Sequence, residues 1–363
     1  MVDYDEFGPE KILTVYDSQS GMKGFVVIDN TVLGPGKGGI RLTPSVTVDE
    51  TARLARVMTW KCSIAGLPFG GAKSGIIAYD HNMLRQTKEQ IIKAFSKAIK
   101  PVCPYLYVAA PDMNTAEQEM AWFADANGSL KSCTGKPRSM AGLPHELGST
   151  GFGVFHSVRV AAPFASLDLL GSTVAIEGFG NVGWFAAMHL ASYGATIVSV
   201  SDSKGVVYDK AGLDFDSLAK VKKDTGSVIN YMTASKSGYN SILDVPADIL
   251  ITAAVPDLIK QADVSRLKFK LIVEGSNIPM GNYVEEALHK KGVLVVPDFV
   301  ANAGGVISSY VEYKGGSDKE MFELVEKKVS SNTKTVLELA ASKAFLPRQA
   351  AMQIAKERVL AKR

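Results

Sequence analysis

Residues 173–202 constrain this chain more than any other stretch. TVAIE (173–177) is a short apolar, β-branched run, and GFGNVG (178–183) follows it directly. WFAAMHLASYG continues with helical character, and TIVSVSD ends in Asp202. A G-x-G-x-x-G loop alone is a weak signal. A strand before it, a helix after it and an acidic end to the next strand supply the context of a dinucleotide-binding βαβ unit. Gly178 makes the turn, Gly180 lets a pyrophosphate approach the backbone, and Gly183 lets helix pack on strand. The helix N-terminus receives the phosphate charge. Asp202, 24 residues after Gly178, is placed to bond the adenine-ribose hydroxyls. Ser203 and Lys204 beside it suit a 2′-phosphate, so NAD and NADP both stay open.

Later short strands are expected at 249–254, 271–276 and 294–298. They are continuous apolar runs, as in a parallel sheet covered on both faces. Upstream, residues 23–127 alternate in the same way. A strand at 23–29 leads to a glycine loop at 34–39 that carries Lys37. Thr47 and Glu50 form a capping box for a helix that ends near Lys61. A strand at 75–79 precedes a helix capped by Thr87 and Gln90. A strand at 105–110 runs into PDMNT, and Thr115 with Gln118 caps a third helix. Residues 128–151 are rich in Gly, Ser, Lys and Pro and read as a linker. A helix is expected at 153–165 and an amphipathic helical tail from 319.

The length of 363 residues suggests about two domains. The expected fold is therefore α/β with a cleft between two domains. Residues 1–145, joined by C-terminal helices from about 335 to 363, form an α/β substrate-binding and oligomerisation domain. Residues 150–330 form a Rossmann-type, doubly wound dinucleotide domain.

Composition narrows the functional classes. A net charge of +3 without a basic block argues against nucleic acid. Three dispersed cysteines and five histidines without ligand spacing predict no metal site. No apolar run reaches the length of a membrane span. The acidic start lacks a signal pattern, so a cytoplasmic location is expected.

MTWKCSIAGLPFGGAKSG (58–75) holds Lys61 and Lys73 among four glycines. A second lysine nearby disfavours protonation of the first, which makes one of them a candidate catalytic amine and the other an anion holder. A solvated turn is the alternative for the stretch, and a cation set against a helix dipole is the alternative for Lys61. LPFGGAKS resembles a P-loop but lacks two of its glycines. Asp112 follows a strand end, where ligands bind in open α/β sheets, or it merely caps the next helix. Several lysines facing a nicotinamide suggest an anionic substrate, and a lysine with a carboxylate suggests proton transfer at the reacting carbon.

GPGKGGIR, MTWK, LPFGGAKSG, APDMNT, GFGNVG and NAGGV occur in the order found in the Glu/Leu/Phe/Val dehydrogenase family, which the chain resembles over nearly its whole length. The resemblance implies oxidative deamination of an L-amino acid to a 2-oxo acid and ammonia with NAD or NADP. It implies that Lys73 is the catalytic lysine and Asp112 the proton-transferring carboxylate. Lys61 would hold the α-carboxylate and Asn302 would position the substrate. Thr150 and Asn277 would contact the nicotinamide end, and Asn181, with Val182 beside it, the phosphates or ribose. Lys37 and Ser309 match the pair that binds the side-chain carboxylate in glutamate-specific members, so glutamate is the expected substrate. The leucine-like segment 16–35 keeps a leucine, valine or phenylalanine type as an alternative. The resemblance also implies a homo-oligomer, with a hexamer favoured and octamer and dimer as alternatives. An inactive dinucleotide-binding protein is a rival of another class, but such a chain would be expected to lose Lys73 or Asp112 first.

Overall fold

The structure, a computed structural model, describes residues 2–79 and 83–363. The chain divides into two compact units: residues 1–147, 306–321 and 354–363 form the first, and residues 148–305 and 322–353 the second.

The first unit is built on a five-stranded sheet. Its strands are β1 (Lys11–Asp17), β2 (Met22–Asn30), β3 (Gly36–Thr43), β4 (Gly70–Ile77) and β5 (Tyr107–Pro111), in the order β1-β2-β4-β3-β5. β3 runs parallel to β4 and β5, while β1 and β2 are antiparallel additions. Helices α1 (Val48–Ile64), α2 (Arg85–Ala98) and α3 (Glu117–Asn127) connect them. Phe95, Phe123, Ile40, Leu42 and Ile92 lead the core. β1 is absent from the sequence reading because it is an edge strand with alternating, partly exposed side chains.

Two glycine-rich stretches expected to be loops are in fact strands. Lys37 lies in β3 and Lys73 in β4. Glycine is a poor strand former, but inside a strand it marks close approach by another backbone. At Gly71 a Cβ would sit 2.1 Å from Thr59 Oγ1 and 2.2 Å from its nitrogen, so glycine is what lets α1 pack on β4.

Local signals also shifted. Thr47 caps α1 as expected, accepting from Glu50 N at 3.1 Å, but the Glu50 carboxylate turns to Arg41 instead of closing the box. α2 begins at Arg85, ahead of Thr87, without a side-chain cap. Thr115 bonds β3 rather than capping α3, whose entry is held by Glu119 accepting from Ala116 N at 2.7 Å. The segment 128–147 is no loose linker. Buried Glu312 accepts from the backbone nitrogens of Gly135 and Leu143, both at 3.0 Å, and from Lys136 Nζ at 2.5 Å.

The second unit opens with α4 (Ser149–Ala161), a few residues earlier than the expected start. Its seven-stranded sheet uses β6 (Thr173–Glu177), β7 (Thr196–Asp202), β8 (Gly205–Tyr208), β9 (Ser235–Ser237), β10 (Ile249–Thr252), β11 (Leu271–Glu274) and β12 (Leu294–Val296). The order is β12-β11-β10-β6-β7-β8-β9, parallel from β12 to β7 and closed by an antiparallel hairpin. Helices α5 (Asn181–Tyr193), α6 (Phe215–Thr225) and α7 (Asn282–Lys290) form its crossovers, and α8 (Asp298–Ala301) follows β12. Then come α9 (Gly304–Tyr313), α10 (Asp318–Lys343) and α11 (Pro347–Leu360). Most of α10 stays with α4, through Thr333 Oγ1 to Ser157 Oγ at 3.2 Å and Arg159 to Glu326 at 3.0 Å. This is why residues 322–353 fall within the second unit. No helix among the described residues is long and apolar enough to cross a membrane.

Candidate active site

On the first unit, the parallel strands bring one lysine and one carboxylate together. Lys73 projects from the middle of β4, and Asp112 follows the last residue of β5. Lys73 Nζ lies 3.1 Å from Asp112 Oδ2. β3 runs between their strands, and Gly39 on it makes room: a Cβ there would fall 2.7 Å from Asp112 Cβ. The backbone nitrogen of Asp112 donates to Thr115 Oγ1 at 2.9 Å, and that hydroxyl donates to Ile40 O at 2.8 Å. Asp112 is therefore anchored on both its backbone and its side chain.

The electrostatics are those of a proton-transfer pair. Lys73 is 8% exposed. Burial drives its amine below the ordinary lysine value, while Asp112 pulls the other way. Burial would raise the Asp112 carboxyl, but Lys73 and Arg41 outweigh it and hold it below the usual carboxylate range. Arg41 has no part in the sequence reading. Its Nε donates to the same Asp112 Oδ2 at 3.0 Å, and its Nη1 donates to Glu50 at 2.5 Å. A lone arginine ending a glycine-rich strand was the only signal for it.

Lys37 is 1% exposed, and its Nζ donates to Ala109 O at 2.8 Å. Burial presses its amine down to about 8. A buried ammonium with one carbonyl partner has unspent donor capacity, which suits an incoming carboxylate. Ser309 is half-buried on α9, one turn before Glu312. Lys61 is half-buried in the last turn of α1. Cys62, Cys103 and Cys133 are buried, and burial raises each thiol to about 12, which makes them inert.

On the second unit, α5 begins at Asn181, straight after Gly180. Around Gly180 there is open space where a Cβ would be, and at Gly183 a Cβ would meet Gly178 O at 1.8 Å. With Val182 between them, these residues fit a dinucleotide: Gly180 is exposed with room for a ligand beside its backbone, and it sits at the N-terminus of α5, where a phosphate is favoured. Glu177, fully buried at the end of β6, accepts from the backbone nitrogens of Ala253 and Ala254 at 3.0 Å each, and from Tyr239. It fixes the neighbouring loop after β10. An acid closing an apolar strand was its sequence signal, and the sequence reading missed it.

At the other side of the sheet, Asn302 Nδ2 donates to Asn277 Oδ1 at 3.0 Å and to Gly275 O at 3.3 Å. Thr150 stands in the first turn of α4, and a Cβ on Gly305 would be 3.0 Å from its hydroxyl. Asn277, expected at the nicotinamide end, and Asn302, expected to position the substrate, are thus bonded to each other, and Thr150, the other residue expected at the nicotinamide end, stands beside Gly305. Asp202 closes β7 as expected, with its carboxylate engaged by protein groups.

An α/β unit with a glycine loop of this form, joined in one chain to a unit bearing a lowered lysine against a carboxylate, defines a nicotinamide-dependent dehydrogenase. Comparison with known proteins narrows this. Residues 9–128 match the dimerisation domain of the Glu/Leu/Phe/Val dehydrogenases, and residues 142–363 match Glutamate/Leucine/Phenylalanine/Valine dehydrogenase. The chain belongs to the Glu/Leu/Phe/Val dehydrogenase family and is an NAD(P)-dependent amino-acid dehydrogenase. It is 43% identical to a glutamate dehydrogenase of Aeropyrum pernix, over 85% of this chain and 77% of the relative. It is 40% identical to an NADP-specific glutamate dehydrogenase of Saccharolobus shibatae, over 82% and 73%. A hetero-hexameric glutamate dehydrogenase of Thermus thermophilus, in a leucine-bound form, has the same fold: TM-score 0.85, 28% identity, 98% of this chain and 89% of that one.

Proposed function

We propose that the chain catalyses the reversible oxidative deamination of L-glutamate to 2-oxoglutarate and ammonia with NAD or NADP. The observation that carries the substrate is Lys37. An ammonium buried this deeply in an apolar side-chain pocket would be costly without a carboxylate to meet it, and glutamate supplies one. The 43% identity to a glutamate dehydrogenase supports the same substrate.

In this reading Lys61 holds the α-carboxylate, and Lys37 with Ser309 holds the γ-carboxylate. Asn302 positions the substrate. Gly178, Gly180, Asn181, Val182 and Gly183 hold the pyrophosphate, Thr150 and Asn277 hold the nicotinamide end, and Asp202 marks the adenosine end. When bound, the nicotinamide supplies the acceptor for the Cα hydride. The remaining chemistry falls to the first unit. Neutral Lys73 takes a proton from water as that water adds to the iminium carbon. Ionised Asp112 takes that proton from the Lys73 ammonium and passes it to the carbinolamine nitrogen, and the hydroxyl proton returns to neutral Lys73 as the C–N bond breaks, releasing ammonia and the 2-oxo acid. Lys73 suits the base role because burial favours its neutral form, and Asp112 suits the relay because it touches the amine that it exchanges protons with.

The family's dimerisation domain supports an oligomer. We assign a homo-oligomer, with six subunits favoured because the Thermus protein, a hetero-hexamer, also has six, and a cytoplasmic location. The test of the function is an activity matrix of 2-oxo acids, ammonia and both reduced cofactors. Ammonia-dependent oxidation that favours 2-oxoglutarate is expected. Preference for 4-methyl-2-oxopentanoate would reject glutamate, and oxidation without ammonia would reject deamination.

A further inference from the structure

The end of β7 is where an acidic residue normally accepts hydrogen bonds from the adenine-ribose hydroxyls. A carboxylate offers about four acceptor positions. At Asp202 four are occupied by protein. Oδ1 accepts from Lys204 N at 2.9 Å and from Ser227 Oγ at 3.0 Å. Oδ2 accepts from Lys222 Nζ at 2.7 Å and from Val228 N at 2.8 Å. The Asp202 side chain is only 6% exposed. Its negative charge faces Lys222 on α6 rather than an open ribose pocket.

What the β7–β8 turn leaves exposed is different in kind. Ser203 and Lys204 form the turn, and both are exposed. The Lys222 side chain is still a quarter exposed beside the carboxylate it neutralises. Lys222 cancels the charge of Asp202, so Lys204 remains as surplus positive charge with a hydroxyl next to it. A ribose diol needs an acceptor, and Asp202 has none to spare. A 2′-phosphate brings its own acceptors and about −1.5 to −2 of charge, and it needs donors and cations.

We infer that the adenine-ribose pocket is built for a 2′-phosphate, so that NADP(H) binds in preference to NAD(H). Ser203 and Lys204 are the specificity-determining residues, and Asp202 is a positioning residue that holds Lys222 and the 227–228 backbone around them. This inference rests on the dinucleotide reading of the GFGNVG loop.

The test is direct binding to the full-length protein without substrate, read from the fluorescence of NADPH and NADH. Adenosine 2′,5′-bisphosphate and 5′-AMP serve as competitors. Expected are a Kd for NADPH at least about tenfold below that for NADH, and displacement of NADPH by the bisphosphate at concentrations where 5′-AMP is ineffective. Lys204→Ala, at an exposed turn, should weaken NADPH about tenfold and leave NADH unchanged. Ser203→Ala, also in the exposed turn, should weaken NADPH and leave NADH unchanged, because its hydroxyl serves the phosphate alone. Equal or tighter binding of NADH by the wild type, or an equal loss of NADH and NADPH in Lys204→Ala, would overturn the inference while the dinucleotide site stands. Failure to bind either cofactor would overturn both.

Discussion

Lys73 Nζ and Asp112 Oδ2 stand 3.1 Å apart, one on the middle of β4 and the other just past the end of β5. The pairing exists because β3, lying between them, has no side chain at Gly39. Both groups are needed in the proposed chemistry, and both belong to the first unit whereas the dinucleotide loop belongs to the second. Lys73→Ala and Asp112→Asn should each reduce kcat by a factor of about a hundred or more, with the Kd of the reduced cofactor unchanged by fluorescence titration. Parallel loss of cofactor binding would contradict their roles.

Arg41 joins Lys73 in holding Asp112 ionised against burial. With Arg41→Gln, burial acts on the Asp112 carboxyl with one cation fewer, so its pKa rises. A larger protonated fraction at a given pH follows. The acid limb of the kcat profile should therefore move to higher pH, and kcat near neutrality should fall about tenfold. Arg41→Lys keeps the charge without the second bond to Glu50 and should shift the limb less. A profile that drops uniformly at every pH would mean that Arg41 acts on folding alone.

Lys37 offers a test in which stability and specificity move in opposite directions. Its amine has a folded-state pKa of about 8, against an ordinary value of 10.5, because of burial. Below pH 8 it is charged in both folded and unfolded chains, so the full cost of burial is present there. That cost fades as pH rises from about 8 to 10.5 and the folded form sheds its proton. Ala109 O keeps a partner without it, since Thr134 N donates there at 3.0 Å. Lys37→Met should therefore raise stability at pH 7 by about 2 kcal/mol, measured by urea unfolding, with the gain shrinking as pH rises above about 8. The same variant should lose preference for glutamate over apolar amino acids. In the wild type, KM for glutamate should climb as pH passes through about 8 and the ammonium is lost.

The second unit was easy to read in sequence and the first was not, for physical reasons. Parallel strands buried on both faces are unbroken apolar runs, so β6, β7, β10 and β11 are visible as TVAIE, TIVSVSD, ILIT and LIVE. β3 and β4 are built from glycines because α1 and neighbouring backbones press on them, and composition alone reads such strands as loops. β8 and β9 are short antiparallel strands at the sheet edge, separated in the chain by α6, and carry little periodicity. At the sites, motif residues were legible individually. Their partners were not: Arg41, Glu177, Lys222 and Glu312 are ordinary charges until the fold turns them toward a neighbour far along the chain.

Arg348 is another such partner, and it ties three carboxylates to one point near the nicotinamide end. It donates to Glu285 at 2.6 Å, Glu274 at 2.7 Å and Asp298 at 3.0 Å. Asp298 in turn accepts from Ile278 N at 3.0 Å, at the foot of the loop that carries Asn277. Burial raises the carboxyls of Glu274 and Glu285, and Arg348 opposes that rise. Removing the arginine strands a buried cluster of like charge, a change that costs about 3–5 kcal/mol when one side of a buried pair is lost. Arg348→Met should show a loss of that order by urea unfolding at pH 8. The sign of its pH dependence is fixed. Glu274 and Glu285 titrate at raised pKa in the folded state, and higher still once the arginine is gone, so lowering the pH protonates them in place and relieves the repulsion. The gap between variant and wild type should therefore be smaller at pH 5 than at pH 8. A gap of constant size would show that the arginine contributes packing rather than charge.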